Sequence, residues 1–176
     1  MEQLKTQRLI FRKFTPQDLD RLYQLFNDPD VMHYMGGVRT REVTEQRLAQ
    51  MIDHWQHGFS MWVVLRKSDH QMIGRCGLIY LDNTPEVELG YTFFKEFWGK
   101  GYATEAAKAT LEYGFNNINL NRIVAITHPQ NIASQRVMEK CGMTYEKNAF
   151  YYNTNVVLYG LSKFKFQANF KENLNP

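Results

Sequence analysis

The chain has 176 residues, of which 44% are hydrophobic and 22% charged, and this predicts one soluble globular domain with a sizeable core. Its formal net charge of +3 is small and no run of lysine or arginine occurs, so nucleic acid is not a predicted partner. The two cysteines, Cys76 and Cys141, belong to no Cys-x-x-Cys motif, so neither a disulfide framework nor a zinc site is expected.

The first half of the chain predicts a strand, two helices and a β-hairpin. Thr15 and Pro16 start the first helix, because threonine caps helix starts and proline fits the first turn. Asp28-Pro29-Asp30 is expected to end this helix, and Gly58 is expected to end the second. The predicted ranges are a strand at 8–14, a helix from 15, a loop at 31–40, a helix over 41–57, and hairpin strands at 61–66 and 71–81.

The second half predicts a strand, a glycine turn, and then alternating helices and strands. The predicted ranges are a strand at 86–94, a helix from the turn to 116, a strand at 122–127, a helix at 131–141 capped by Gly142, and strands at 144–152 and 156–166. Residues 1–166 are therefore predicted to form a single domain, followed by a polar tail at 167–176. The simplest packing is one mixed sheet with helices on both faces, in which residues 86–127 form a right-handed parallel crossover.

The glycine turn Gly99-Lys100-Gly101 lies between a predicted strand and the start of a predicted helix. Unpaired N–H groups and the helix dipole make such a helix start an anion site, although this motif alone also allows a turn without a ligand. A P-loop is excluded because Lys100 is followed by Gly101 and Tyr102, whereas that motif requires Ser or Thr directly after its lysine. A dinucleotide-binding turn is excluded because Thr104 stands where its third glycine is required.

The segment from Trp98 to Ala103 closely resembles the acetyl-CoA loop of the GNAT N-acetyltransferase superfamily, whose pattern is Gln/Arg-x-x-Gly-x-Gly/Ala. Two departures from the family pattern stand out: Trp98 replaces the polar first residue, and Met138 replaces a tyrosine that many relatives use to protonate the leaving thiolate. Further family-like segments are Glu88-Leu89-Gly90-Tyr91, Asn131-Ile132-Ala133-Ser134 and Glu139-Lys140-Cys141-Gly142-Met143. Segments that resemble the branch of ribosomal-protein N-terminal and spermidine acetyltransferases are Thr6-x-Arg8-Leu9-x-x-Arg12, Asp28-Pro29-x-Val31 and Ile73-Gly74-x-x-Gly77-Leu78.

The resemblance implies the GNAT fold, an α/β fold with one mixed, mostly antiparallel sheet, helices on both faces and a splayed pair of parallel strands. It also implies acetyl-CoA as the cosubstrate and no metal. The backbone of Tyr91, Thr92 and Phe93 would pair with the pantetheine arm. The remaining implied cofactor contacts are Gly99, Lys100, Gly101, Tyr102, Ala103, Thr104, Asn131 and Ser134.

Two residues are candidates for catalysis. Glu88 is the candidate base, acting through water, with a solvated or salt-bridged strand residue as the alternative and Glu86 as its substitute. Ser134 is the candidate group on the thiolate side, with a hydrogen bond to its own helix backbone as the alternative. Candidate residues of the acceptor site are Tyr34, Met35, Trp62 and Glu86, although the aromatic residues among them are nearly as typical of a core.

The expected reaction is direct attack of a primary amine on acetyl-CoA within a ternary complex. A protein N-terminal α-amine is the expected acceptor; a small amine such as a polyamine or an aminoglycoside, and a CoA-binding regulator without catalysis, are the alternatives. The protein is expected to be a monomer or a homodimer. No apolar run approaches ~20 residues and the N-terminus lacks an apolar signal region, so we expect no membrane span and a cytoplasmic location.

Overall fold

The computed structural model describes residues 4–172, which form seven strands, six α-helices and three short 3-10 helices. The strands are β1 (Leu9–Lys13), β2 (Met61–Arg66), β3 (Met72–Tyr80), β4 (Val87–Phe93), β5 (Arg122–Thr127), β6 (Thr144–Tyr151) and β7 (Thr154–Ser162). The helices are α1 (Leu19–Phe26), α2 (Pro29–Met32), α3 (Arg41–Asp53), α4 (Tyr102–Asn116), α5 (Ile132–Lys140) and α6 (Lys163–Glu172). No helix within residues 4–172 is both long enough and apolar enough to cross a membrane.

The seven strands form one sheet in the order β1-β2-β3-β4-β5-β7-β6. Every neighbouring pair is antiparallel except β4 and β5, which run parallel. This arrangement confirms the predicted α/β fold with a mixed, mostly antiparallel sheet. The parallel pairing of β4 with β5 joins Glu88 to Val124, and beyond this point the two strands separate.

Helices cover both faces of the sheet. On one face, Arg75 of β3 lies against Phe26 of α1 and Met51 of α3. On the other face, the Cys76 thiol lies 3.3 Å from the Thr110 hydroxyl of α4. Because neighbouring residues of a strand point to opposite faces, Arg75 and Cys76 define the two faces, the Arg75 face and the Cys76 face.

Two segments differ from the sequence prediction. Residues 31–40 were expected to be a loop, but Asp28 accepts hydrogen bonds from the backbone N–H groups of Asp30 and Val31 and so caps the short helix α2. The last strand was expected to reach residue 166, but it ends at Ser162, whose hydroxyl accepts the Lys165 N–H at the start of α6. The expected polar tail at 167–176 therefore begins inside α6, and residues 173–176 lie outside the described part of the chain.

The close approach of β3 to β4 at Gly74 makes this residue a test of the sheet. A Cβ at Gly74 would overlap the carbonyl oxygen of Thr92 and lie 2.9 Å from the Phe93 Cα, whereas at Gly114 of α4 its three nearest atoms would be methyl groups of Ile123, Leu78 and Leu120. Side-chain ends move more easily than a paired strand. Alanine in a helix also gains about 1 kcal/mol over glycine.

We therefore expect Gly74→Ala to lower the free energy of unfolding by ~3 kcal/mol and Gly114→Ala by only ~1 kcal/mol. Urea unfolding of both variants measures the difference. An equal or larger loss in Gly114→Ala would contradict the assignment of the obstacle at Gly74 to backbone.

Candidate active site

The glycine turn presents backbone N–H groups at the start of α4. Gly99 and Gly101 have φ values of 72° and 79°, a left-handed conformation that suits glycine, and α4 begins at Tyr102. The N–H groups in the first turn of a helix have no acceptor within that helix. The turn therefore forms a cradle of amide donors at the positive end of the α4 dipole, which is the geometry that binds phosphate.

Arg8, in the N-terminal segment before β1, forms hydrogen bonds that hold this turn in place. Its Nη1 donates to the Lys100 carbonyl at 2.9 Å, and its Nε donates to Glu105 Oε2 at 2.6 Å. Glu105 also accepts from the Thr6 hydroxyl at 2.6 Å and from the Arg8 N–H. Burial raises the pKa of Glu105, but the hydrogen bonds from Thr6 and Arg8 outweigh it, so the pKa lies below its usual value. The negative charge of this carboxylate is thus balanced by Arg8, so it does not repel an anion at the amide cradle.

Basic side chains line the open cleft beside the cradle. Lys108 of α4 and Lys140 of α5 face it together with Arg8. The sequence analysis missed both lysines. Lys108 lies one turn after Thr104 and Lys140 is the last residue of α5, so both could have been assigned to the cleft once α4 and α5 were known to pack side by side. The cleft is therefore suited to a ligand with several negative charges.

The polar groups of Trp98 and Lys100 are used within the turn. The indole N–H of Trp98 donates to the Phe93 carbonyl at 2.8 Å, and the ammonium of Lys100 donates to the Glu96 carbonyl at 2.8 Å. Both polar side-chain groups therefore have partners within or next to the turn, which leaves its backbone amides as the donors that face the cleft.

The separation of β4 from β5 leaves one side of β4 open from Tyr91 to Phe93. Helix α5 begins beside this opening, where Asn131 Oδ1 accepts the Ser134 N–H at 3.1 Å and caps the helix. The Ser134 hydroxyl lies 2.8 Å from the Tyr91 hydroxyl, which also donates to the Ser134 carbonyl. Burial raises the pKa of Tyr91, so its phenol stays protonated. Met138, one turn further along α5, is a core residue.

Glu88 is the last residue of β4 that pairs with β5, and its side chain points to the Arg75 face. It is 8% exposed. Burial raises its pKa to about 7, although the Tyr152 hydroxyl donates to Oε2 at 3.0 Å and opposes the rise. A carboxyl group whose pKa lies near neutral pH is suited to accepting and releasing a proton.

Tyr152, which the sequence analysis missed, is held in place by Asp82. Its hydroxyl accepts the Asp82 N–H at 2.8 Å, and its own N–H donates to the Asp82 carboxylate at 3.1 Å. This ties the turn between β6 and β7 to the loop between β3 and β4. The two segments lie 70 residues apart in sequence, so local patterns could not reveal the contact.

The predicted acceptor-site residues do not all meet at Glu88. Tyr34 stacks on His128 with ring centroids 5.3 Å apart, and Met35 is 37% exposed near Thr92. Trp62 lies apart from Glu88: it points to the Cys76 face and packs in the core against Phe11, Trp55 and Tyr113.

Glu86 is bound to a cation rather than left free at the cleft. Its carboxylate accepts from Arg122 Nε at 3.1 Å, and Arg122 also pairs with Glu146. Within residues 4–172, no three histidine, cysteine, aspartate or glutamate side chains are grouped so as to hold a metal ion.

A splayed parallel strand pair that leads into an amide cradle at a helix start is the arrangement of an acyl-CoA-dependent transferase. Residues 8–144 match the model of the acetyltransferase (GNAT) domain family. The chain therefore belongs to the GNAT family and is an N-acetyltransferase that uses acetyl-CoA.

Relatives with known names cover most of the chain. The uncharacterized protein YkkB of Bacillus subtilis is 36% identical over 165 residues, covering 89% of this chain and 93% of YkkB. An uncharacterized N-acetyltransferase of Bacillus licheniformis, p20, is 34% identical and covers 83% and 84% of the two chains. The crystal structure of a GNAT-family acetyltransferase from Bacillus anthracis is 31% identical, with a TM-score of 0.79 over 93% of this chain and 99% of that one. None of these names specifies an acceptor, so the ribosomal-protein branch stays a prediction.

The raised pKa of Glu88 has a consequence for stability. The folded-state pKa of Glu88, about 7, exceeds its ordinary value of 4.5. Such a carboxyl group costs no stability below pH 4.5, and the cost grows as the pH rises from there through 7. Glutamine mimics the neutral acid at all pH values. We therefore expect Glu88→Gln to be more stable than wild type by ~3 kcal/mol at pH 8 and by less than ~1 kcal/mol at pH 5.

Denaturant unfolding at the two pH values measures this difference, with Glu112→Gln on the exposed face of α4 as the matched control. The control should show no comparable pH-dependent gain. A Glu88→Gln variant that is less stable than wild type at pH 8 would show that the ionised carboxylate supports the fold.

Proposed function

We propose that this enzyme transfers the acetyl group of acetyl-CoA to a primary amine by direct attack in a ternary complex, and that the acceptor is the α-amine of a protein N-terminus. The observation that carries the proposal is the position of Glu88. This buried carboxyl, with a pKa of about 7, lies at the point where β4 separates from β5.

The arrangement of the described residues fits acetyl-CoA. The open side of β4 at Tyr91, Thr92 and Phe93 offers backbone groups to the amide bonds of the pantetheine arm, as an added strand does. The amides from Gly99 to Thr104 would hold the pyrophosphate, and the side chains of Lys108 and Lys140 would attract the remaining phosphate charge. Asn131 and Ser134 would lie beside the arm near its thioester end.

In this mechanism Glu88 takes the proton that the amine must lose. The amine nitrogen forms a bond to the acetyl carbonyl carbon, the carbon–sulfur bond breaks, and the amine proton passes to Glu88, directly or through water. An α-amine has a pKa of ~8, close to that of Glu88, whereas a lysine-type amine at ~10.4 is far harder for this base to deprotonate. The match in pKa therefore favours an N-terminal acceptor.

The departing sulfur needs little help. A thiol has a pKa of ~8.5, so the thiolate is an adequate leaving group near neutral pH. The Ser134 hydroxyl, bonded to the Tyr91 phenol at 2.8 Å, is the nearest candidate to donate a hydrogen bond to it. This pair would serve in place of the tyrosine that Met138 replaces, and we place Ser134 on the thiolate side of the reaction for that reason.

An amine panel tests the proposal. Acetyl transfer is measured with short peptides, polyamines and aminoglycosides, and CoA binding is measured separately by calorimetry. We expect CoA to bind and peptide α-amines to be acetylated with a kcat/KM at least ~10-fold above that of the other amines. CoA binding without acetylation of any amine would support a regulator, and a higher kcat/KM for polyamines or aminoglycosides would overturn the acceptor.

The pH dependence of the reaction tests Glu88 as the base. For wild type, kcat/KM should fall as the pH drops below a midpoint near 7, where Glu88 becomes protonated. Tyr152→Phe removes a hydrogen bond that lowers the pKa of Glu88, so the midpoint should rise by roughly one unit. Glu88→Gln should lose this ionisation and lower kcat ~10²- to 10⁴-fold.

Tyr145→Phe is the matched control, because Tyr145 is exposed on β6 and its hydroxyl donates to Asn148 rather than to Glu88. Its profile should match that of wild type. A midpoint that follows the pKa of the acceptor amine, and that does not move in Tyr152→Phe, would remove Glu88 as the base.

A further inference from the structure

Arg75 shares the face of the sheet that carries Glu88. In the register of β3 with β4, Arg75 pairs with Thr92, Gly77 pairs with Gly90, and Ile79 pairs with Glu88. Residues two apart along a strand point to the same face, so Arg75 and Glu88 project to the same side. The glycine pair between them carries no side chain, and the side chain of Met61 in β2 covers Gly90, with its Cε 3.3 Å from the position that a Cβ of Gly90 would take. The stretch of this face between the cation and the carboxyl group is therefore covered by a flexible, unbranched side chain.

Arg75 has hydrogen-bond partners but no anionic one. Its Nε donates to the Thr92 hydroxyl at 3.3 Å, its Nη1 lies 3.6 Å from the Met51 sulfur, and its guanidinium carbon lies 4.8 Å from the centre of the Phe26 ring. Six other arginines in the described part of the chain form ion pairs with carboxylates, whereas Arg75 forms none with any residue from 4 to 172. A partly buried cation without a counterion is costly, which makes it a candidate for binding a ligand.

The surrounding charges leave the site positive. Burial lowers the pKa of Arg75 to about 10, so its side chain remains charged at neutral pH. The charge of Arg47, an exposed residue of α3, also lowers this pKa, while the charge of Glu88 raises it. Because Glu88 is itself protonated about half of the time at pH 7, it only partly offsets the two arginines. A carboxylate on a bound ligand would balance the remaining positive charge.

We propose that Arg75, with Arg47 at the rim, binds a carboxylate of the acceptor, so that the acceptor is an amine that carries a carboxylate a few bonds from its nitrogen. The inference rests on the proposed function, since it assigns an acceptor to the same transfer. An N-terminal aspartate or glutamate supplies this carboxylate from its side chain, and a free amino acid supplies it from its α-carboxyl group.

The charges also disfavour other amines. A guanidinium binds a carboxylate through two parallel hydrogen bonds, which would orient the acceptor with its amine toward Glu88. A polyamine or an aminoglycoside would instead bring additional positive charge toward Arg75 and Arg47. Like charges brought together in this way lower the affinity for the wrong partner, so the same residues select for one acceptor class and against another.

Matched acid and amide acceptors test the inference. The peptides Asp-Ala-Ala-amide and Asn-Ala-Ala-amide have nearly the same shape but differ by one negative charge, and L-alanine and L-alaninamide form the corresponding small pair. For wild type we expect kcat/KM to favour the acid by at least ~10-fold in one of the pairs. The pair that shows the preference identifies the source of the carboxylate.

Arg75→Met should reduce this acid-to-amide ratio at least ~10-fold, because it removes the guanidinium and keeps an unbranched side chain. Arg75→Lys, which keeps the charge without the fork, should give an intermediate ratio. Arg47→Met should reduce it less. Lys147→Met removes one positive charge from β6, the edge strand that lies four strands away from β3, and should leave the ratio unchanged. Thermal melting confirms that each variant is folded.

The outcomes separate this inference from the proposed function. Equal use of acid and amide by wild type, or an unchanged ratio in a folded Arg75→Met or Arg75→Lys variant, would overturn the role of Arg75 while leaving amine acetylation intact. A shift in the pH midpoint of Glu88 without a change in the ratio would identify Arg75 as an electrostatic partner of Glu88 only, and would also overturn it. CoA binding with no acetylation of any amine would instead refute the proposed function.

Discussion

The separation of β4 from β5 is the constraint on which the rest of the site depends. Two parallel strands paired along their whole length would use the N–H and C=O groups between them in the sheet ladder. Here the pairing joins Glu88 to Val124 and then ends, so the backbone of β4 from Tyr91 to Phe93 is open on that side. The same divergence leads β4 through the glycine turn to the start of α4. One departure from regular sheet geometry thus exposes the backbone groups and places the amide cradle beside them.

The sheet divides the site into two chemically different parts. The cradle side holds the backbone amides of the glycine turn together with Arg8, Lys108 and Lys140, and it is suited to phosphate. The other side holds Glu88 and Arg75 on one face, under α1 and α3. Glu88 lies at the boundary, because it is the last paired residue before the strands part. A base at this position can reach an acceptor on its own face while remaining close to the opening where the acetyl group would lie.

Local patterns predicted the parts of this structure that depend on neighbouring residues. Thr15 and Asp18 form the capping box at the first helical turn, and the glycine turn starts α4 as expected. Contacts between distant segments could not be predicted in this way. The bonds of Arg8 to the turn and of Tyr152 to Glu88 join segments 92 and 64 residues apart. Trp62 was assigned to the site because aromatic residues suit both pockets and cores, and only the strand register shows that it faces the core.

The two parts of the site also differ in how much they depend on particular side chains. Backbone amides bind phosphate whichever side chain stands beside them, so the turn can carry Trp98, whose indole is bonded to the Phe93 carbonyl, where a polar residue is usual. On the opposite face the proposed chemistry rests on side chains: burial and the Tyr152 hydroxyl act on the pKa of Glu88, and Arg75 places a positive charge near it. A change of side chain should therefore alter acceptor choice more readily than cofactor choice. This difference explains why a short motif identifies the acetyl donor, whereas no comparable motif in the sequence identifies the acceptor.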